Sequence, residues 1–537
     1  MSVSGTDDWW RGAVIYQIYP RSFADHSGDG TGDLPGITER LPYLAELGVD
    51  GIWLSPFFTS PMKDFGYDVA DYRDVDPTFG TLADFDALLA RAHELGLKVI
   101  IDQVYSHTSD QHAWFAESRS SRDNARADWY VWADPKPDGT PPNNWLATFG
   151  GVSWTWDAHR QQYYLHNFLP EQPDLNFHNP QVREAILEVA RFWLDRGVDG
   201  FRLDVANFYF HNAALPDNPP AGNHERRPRR AYTYQQHLHD HTQPENLAFL
   251  AELRAVLDSY GARMTVGEIG AGFDVSAEYT RGRNRLHTCY NFTLLNARTL
   301  DATLIANALE PWNAVDAWPS WSFSNHDVPR ATSRFGRPED PAFAKLLIAL
   351  LVTLRGTAFL YQGEELGLPQ AEVPFEALQD PEAINNWPHT LGRDGARTPM
   401  PWQRGAPHAG FSKATPWLPV DPAHDALAVS RQDLDPDSVL NFTRRLLTAR
   451  RSLPALIAGD IEFLPAPDDT ILFRRAMARQ SILCAFNLSA TAVRIPSIRK
   501  PGAMTVIDSG LTGTLDGAHI ALDAWQGCLV QLETGQS

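Results

Sequence analysis

Gly200-Phe201-Arg202-Leu203-Asp204-Val205-Ala206 follows an apolar, helix-like run over 185–194 and the pair Arg196-Gly197 that ends it. Read as a strand, the stretch projects successive side chains to opposite faces, so Arg202 and Asp204 share one face and Phe201 and Leu203 the other. The apolar face can pack against helices. The other face carries two charges at the strand's C-terminal end. A neighbouring guanidinium lowers a carboxylate's pKa, and an ionised, oriented carboxylate is what nucleophilic catalysis needs. A purely structural Arg–Asp pair at a strand end is the alternative.

Working outward, the same grammar repeats. Residues 14–18, 51–54, 98–102 and 200–204 read as short buried strands, and 34–47, 82–95 and 180–196 as amphipathic helices between them. Further strands are predicted at 264–268, 287–292, 321–325 and 357–361, with a helix over 341–353. Strands alternating with helices imply a parallel sheet. Eight such units predict an α/β fold, a (β/α)8 TIM barrel with insertions. A doubly wound open sheet is the alternative, but no Gly-rich nucleotide loop follows the first strand.

Two stretches interrupt the rhythm. Residues 106–176, rich in Trp, Asp, Pro and Asn, are too long for a plain loop. The polar, proline-rich segment 207–244 carries Phe208, Tyr209, Phe210, Tyr232 and Tyr234, which suits a lid over a pocket, with disorder as the alternative. From about Leu453 short alternating segments replace the helices and predict a C-terminal antiparallel, sandwich-like β domain. The expected division is 1–106 and 177–452 for the barrel, 107–176 for an inserted domain after strand three, and 453–537 for the C-terminal domain.

With 537 residues the chain exceeds one small core, and a formal charge of −20 disfavours polyanionic partners, nucleic acid and anionic membrane alike. The one basic cluster, Arg226-Arg227-Pro228-Arg229-Arg230, sits in a polar stretch and reads as solvated loop. Three cysteines are too few and too scattered for a disulfide framework or a Cys-based zinc site, which predicts a reducing compartment. The polar, acidic N-terminus does not resemble a signal peptide and no run spans a bilayer, so the expected location is cytoplasmic.

In a barrel of this kind the chemistry gathers at the C-terminal strand ends. Strand three ends at Asp102 and runs into His107, strand four ends at Asp204, strand five at Glu268, and strand seven at Asn325-His326-Asp327. Paired carboxylates facing one cavity are what glycosidic cleavage requires, one ionised and one protonated. Arg202 beside Asp204 favours the anion. The apolar neighbours of Glu268 raise its pKa. Metal-bound water is the competing use for such residues, yet the spacing offers no His-x-x-x-His or similar chelate.

These strand ends, together with Asp102-Gln103-Val104-Tyr105-Ser106-His107, Gln172-Pro173-Asp174-Leu175-Asn176, Gln362-Gly363-Glu364-Glu365 and Arg397-Thr398-Pro399-Met400-Pro401-Trp402, resemble the α-amylase family of glycoside hydrolases. Within it they resemble the α-glucosidase and oligo-1,6-glucosidase branch. The resemblance implies Asp204 as nucleophile, Glu268 as general acid/base and Asp327 as the carboxylate that distorts the sugar and stabilises the transition state. It implies Arg202, His107 and His326 as ligands of sugar hydroxyls. Asp68 and Arg397 would grip the non-reducing-end glucose, with Tyr67 stacking on its ring. The implied activity is that of a retaining, exo-acting α-glucosidase acting on short maltose-, isomaltose- or sucrose-like α-glucosides through a covalent glucosyl-enzyme. Transglucosidases and sucrose or trehalose isomerases share the fold and stand as the alternative, and a non-catalytic barrel is a distant one. Two departures stand out: Ser106 replaces the family's Asn before His107, and Val205 follows the nucleophile, as in relatives that tolerate α-1,6 linkages.

The loop Asp25-His26-Ser27-Gly28-Asp29-Gly30-Thr31-Gly32-Asp33 spaces oxygens at alternate positions, like the start of a calcium loop without the bidentate Glu at position twelve. An Asx-rich turn is the alternative. The branch carries one structural Ca2+ or Mg2+ here, which implies Asp25, Ser27, Asp29, the Thr31 carbonyl and Asp33 as ligands. No organic cofactor is implied, and the expected assembly is a monomer or homodimer.

Overall fold

In the computed structural model, residues 8–222, 230–388, 392–496, 504–517 and 519–533 are described. Arg226, Arg227 and Arg229 of the basic cluster lie outside them.

Eight parallel strands close into a barrel: β1 (Val14–Ile18), β2 (Gly51–Leu54), β3 (Lys98–Gln103), β4 (Gly200–Leu203), β5 (Met264–Glu268), β6 (Thr288–Tyr290), β7 (Pro319–Trp321) and β8 (Thr357–Tyr361). Their order around the barrel is sequential, with β8 pairing back onto β1. The strand pleat sorts their side chains into two cores. Ile15, Trp53, Ile100, Met264, Val266, Tyr290 and Phe359 pack with one another inside the barrel. Their alternates, among them Val14, Ile52, Val99, Ile101, Phe201 and Leu203, pack outward against the helices.

Arg202 follows from this alternation. Flanked by outward-facing Phe201 and Leu203, it points inward, and register places it level with Asp102 on β3 and Val266 on β5. Gly200 permits the close approach of β5: a Cβ there would lie 2.2 Å from the Met264 carbonyl oxygen.

The seventh strand differs from expectation. It was predicted over 321–325 but runs Pro319–Trp321. Asn325 Oδ1 accepts from the Asp327 and Val328 N–H groups at 2.9 and 3.1 Å, folding an Asx turn that ends the extended run early. His326 and Asp327 therefore sit in a loop beyond the strand rather than at its tip.

Between β3 and the helix Pro180–Asp195 the chain forms a helix (Ala113–Ser120) and a three-stranded antiparallel sheet of Trp132–Ala133, Gln162–Leu165 and Trp154–Asp157. At the C-terminus a five-stranded antiparallel sheet (Asp460–Leu464, Thr470–Met477, Gln480–Asn487, Gly527–Leu532, Met504–Val506) faces a three-stranded one. Leu472, Leu483 and Val530 of the first pack with Ile495, Ile520 and Leu522 of the second.

Candidate active site

At the C-terminal mouth of the barrel lies a cavity of about 370 Å³ lined by Asp204, Glu268 and Asp327 from strand ends and loops. Aromatic walls come from Tyr67, Phe149, Phe168, Phe208 and Tyr232. Flat rings around a few convergent polar groups suit the faces of a small carbohydrate.

The floor is built on one guanidinium. Arg202, fully buried, reaches Asp102 Oδ1 at 2.9 Å and Asp204 Oδ1 at 2.6 Å through Nη1, and Glu268 Oε2 at 2.6 Å through Nη2. Its carbon plane lies 5.1 Å from the centroid of the Trp53 ring below. Asp204 and Glu268 thus occupy two arms of the same cation. Next to them Val205 holds φ at 33°, a conformation strained for a β-branched residue, and its N–H donates to Glu268 Oε2 at 3.1 Å.

One positive charge shared among three buried carboxylates cannot keep them all ionised. Burial raises the Glu268 pKa to about 8, with Arg202 opposing and Asp204 reinforcing the rise. Burial likewise raises Asp204 to about 7, against the pull of Arg202 and with Asp102 adding repulsion. The reading from sequence has Arg202 beside Asp204 favouring the anion; in the structure burial and Asp102 oppose that pull.

Asp327 lies in a different field. Arg397 Nη2 contacts its Oδ1 at 2.8 Å, Arg393 Nη1 approaches at 3.6 Å, and His326 Nε2 lies 3.2 Å from Oδ2. Burial pushes its pKa up, but His326, Arg397 and Arg393 outweigh that and hold it well below the usual range. His326 also meets Gln17 Nε2 at 2.8 Å and the Tyr67 hydroxyl at 2.7 Å, and burial lowers its pKa to about 3.

A catalytic-domain model described as "Alpha amylase, catalytic domain" matches residues 17–459. The chain belongs to the alpha-amylase family. It is 56% identical over 497 residues to a probable alpha-glucosidase of Rhizobium meliloti (strain 1021), covering 90% of each chain. It is 39% identical over 536 residues to an oligo-1,6-glucosidase of Heyndrickxia coagulans, covering 90% of this chain and 93% of that one. Among solved structures it is similar to an alpha-glucosyl transfer enzyme, XgtA, with a TM-score of 0.94, 54% identity, and coverage of 98% of this chain and 99% of the other. Enzymes of the alpha-amylase family need no organic cofactor.

Of the residues expected at this alpha-amylase site, Tyr67, His107, Asp204, Glu268 and Asp327 line the cavity. The Tyr67 ring stacks on His326 at 5.5 Å and 5°, while its hydroxyl lies 3.1 Å from Asp102 Oδ2. His107 Nε2 donates to the Tyr67 carbonyl at 3.0 Å, and the Ser106 hydroxyl meets its Nδ1 at 2.8 Å, occupying that nitrogen where the family's Asn stands. Arg202, His326 and Arg397 are buried behind the lining and hold it in place.

Asp68 is not brought into the cavity. Its carboxylate accepts from Ser60 Oγ at 2.9 Å, Lys63 N at 2.8 Å and Asp64 N at 3.0 Å, closing a turn in which Met62 and Phe65 hold positive φ. The acid that faces the cavity is Asp64, paired with Arg393 at 2.8 Å. Arg393 is further clamped by Asp380 at 2.8 Å and lies 5.0 Å from the centroid of the Phe149 ring. The pair expected from sequence, Asp68 and Arg397, stands four residues after Asp64 and Arg393 respectively. Neighbouring like residues offered no local sign to separate them.

In the 25–33 loop the carboxylates implied as metal ligands accept hydrogen bonds from nearby backbone and side-chain groups. Asp33 caps the helix Leu34–Leu47 and accepts from Gly36 N at 2.7 Å and Ser27 N at 2.9 Å. Asp25 accepts from Gly28 N and Gly30 N, and Asp29 from Thr31 N. These bonds build an Asx-rich turn, and among the described residues the three carboxylates do not form a cluster of potential ligand side chains. Ser27 donates its hydroxyl to Asp25 instead of offering it outward.

Proposed function

We propose that this chain is a retaining, exo-acting α-glucosidase that releases glucose from the non-reducing end of short α-glucosides. One observation carries the reading: Asp204 and Glu268 grip two arms of the Arg202 guanidinium at the floor of one cavity. Two carboxylates held on one guanidinium suit double displacement, in which one attacks the sugar and the other moves the proton.

In the proposed cycle Asp204 attacks the anomeric carbon while Glu268 protonates the leaving oxygen. Glu268 then takes a proton from water as water cleaves the glucosyl-Asp204 ester. Asp327, kept ionised by two arginines, accepts hydrogen bonds from ring hydroxyls and favours the distorted, cationic sugar. Asp64 and Arg393 close the far end of the pocket, which supports cleavage from the chain end rather than within a chain. His107 and Tyr67 line the glucose-binding wall, with His326 and Arg397 positioning Asp327.

Transfer to an acceptor sugar is a second reading, favoured by the likeness to the alpha-glucosyl transfer enzyme. Product analysis with maltose, isomaltose and sucrose tests both. Free glucose as the main product supports hydrolysis. New disaccharides or trisaccharides in excess of glucose overturn it in favour of transfer.

The proposed division into barrel, inserted domain 107–176 and C-terminal domain from 453 follows the breaks in the strand–helix rhythm. Cytoplasmic action is proposed on the three cysteines, all buried and unpaired. No helix among the described residues is long and apolar enough to cross a membrane.

A further inference from the structure

Beside the cavity, His237-Leu238-His239-Asp240-His241 has a His-x-x-x-His spacing away from the strand ends. His237, Asp240 and His241 each offer a ligand atom within 4.8 Å of the others, and they form the one such cluster among the described residues.

The hydrogen bonding around His237 asks for a cation. Its Nε2 lies 2.8 Å from the Tyr232 carbonyl oxygen, which only accepts, so Nε2 bears a hydrogen. In a neutral ring Nδ1 is then a bare lone pair. It faces Asp240 Oδ2 at 2.5 Å, another acceptor. Two lone pairs at that distance need a shared proton, and a zinc-class ion binding both atoms would replace that proton and hold them about 3 Å apart.

Asp240 adds an independent sign. Its residue is fully buried, and its other oxygen, Oδ1, has no hydrogen-bond partner. A buried, unpartnered carboxylate oxygen is costly unless a cation is near. His241 completes the set. Its Nδ1 meets Thr242 Oγ1 at 2.6 Å and its Nε2 the Tyr232 hydroxyl at 3.2 Å, so whichever nitrogen binds, the other is oriented by a hydroxyl.

The geometry points to a site for one divalent transition metal of the zinc class, held by His237, Asp240 and His241 with solvent in the remaining position. Imidazole and carboxylate ligands select such ions over Ca2+ or Mg2+. The site lies on the cavity wall: Tyr232 stacks on His237 and Phe208 on His241, and both aromatics line the cavity. A bound ion would fix the lid that faces an incoming acceptor.

The test uses the full chain after chelation and dialysis. Equilibrium dialysis with Zn2+ should give one ion per chain, and Co2+ should give visible d–d absorption with imidazole coordination. Asp240→Asn and His241→Gln should each weaken Zn2+ binding by on the order of 100-fold. His239→Gln should leave it unchanged, because only the backbone of His239 bonds within the segment. Circular dichroism on each variant verifies folding, and His241→Gln stands in if Asp240→Asn does not fold. Absence of a stoichiometric site at tens of micromolar Zn2+ overturns the proposal, leaving a His237–Asp240 hydrogen bond. Equal loss in His239→Gln, or undiminished binding in both ligand variants, overturns it as well.

Discussion

Two clusters of buried charge flank the same sugar-sized cavity, and they differ in how many cations serve each carboxylate. On the β4–β5 side, Arg202 alone faces Asp102, Asp204 and Glu268. On the other side, Asp327 faces both Arg397 and Arg393, the second shared with Asp64 and Asp380. Asp102, Asp204 and Glu268 are buried and Asp327 is partly buried, so burial pushes every one toward the protonated form. Only Asp327 receives enough positive charge to reverse the push. The lesson is that an arginine in contact does not by itself ionise a carboxylate: the ratio of cations to carboxylates decides. The first cluster is thereby fitted to move a proton, the second to hold a fixed negative charge.

The largest expected effect comes from breaking the first cluster at its reactive member. Asp204→Asn should lower kcat by at least about 10⁴-fold while far-UV circular dichroism stays that of the parent. The same cluster predicts a narrow pH dependence of kcat/KM, rising as Asp204 ionises near 7 and falling as Glu268 loses its proton near 8. Turnover persisting in Asp204→Asn, or a plateau extending below pH 5, would place the nucleophile elsewhere.

A smaller effect separates the two acids of the 60–68 turn, one facing the second cluster's Arg393 and one facing its own backbone. Asp64→Asn should lower kcat/KM by on the order of 100-fold, because the Arg393 guanidinium that closes the pocket loses its charged partner there. Asp68→Asn should instead cost stability, on the order of 1–3 kcal/mol, through the turn's weakened hydrogen bonds. Steady-state kinetics beside thermal melts of both variants decide the matter. The reverse pattern would return Asp68 to the glucose-binding role that the family resemblance implies.

The fold was legible where the chain repeats a two-faced strand followed by an amphipathic helix, because that alternation is local. Boundaries were less so: the Asx turn at Asn325 ends β7 early for a reason that lies in one side chain's hydrogen bonds. At the site, the strand-end acids could be picked out because barrel topology says where to look. The protonation of Asp204 could not, since it depends on Asp102 standing level with Arg202 across a strand pair. The Asp64–Arg393 pair joins two loops far apart in the chain, so no spacing betrays it.

A comparison of stability against pH sharpens the contrast between clusters with opposite signs. Glu268 has a folded pKa of about 8 against an ordinary 4.5, so its stabilising contribution is complete below 4.5 and is lost as pH rises through 8. Glutamine cannot ionise, so Glu268→Gln should gain Tm relative to the parent as pH is raised from 6 to 9. Asp327 is depressed, so its contribution is present above its ordinary 3.8 and is lost only in strong acid. Asp327→Asn should therefore melt below the parent at neutral pH, with the gap closing as the medium is acidified. Parallel Tm curves for the two variants would remove the difference in cation count as the cause.

The smallest effect concerns a third group of acids, those of the 25–33 loop, where no cation is needed because amides do the work. Burial raises the Asp25 pKa, yet hydrogen bonds from Ser412, Gly30, Gly28 and Ser27 outweigh it and lower the value. A loop already neutralised by N–H and O–H donors has little to gain from an ion that must first displace them. Adding millimolar Ca2+ or Mg2+ to chelator-treated protein should therefore move Tm by less than about 1 °C, whereas an ion held a hundredfold above its Kd contributes about 2.7 kcal/mol. A rise of several degrees, abolished by Asp29→Asn, would show that the loop opens to take the ion and that amides alone do not satisfy its carboxylates.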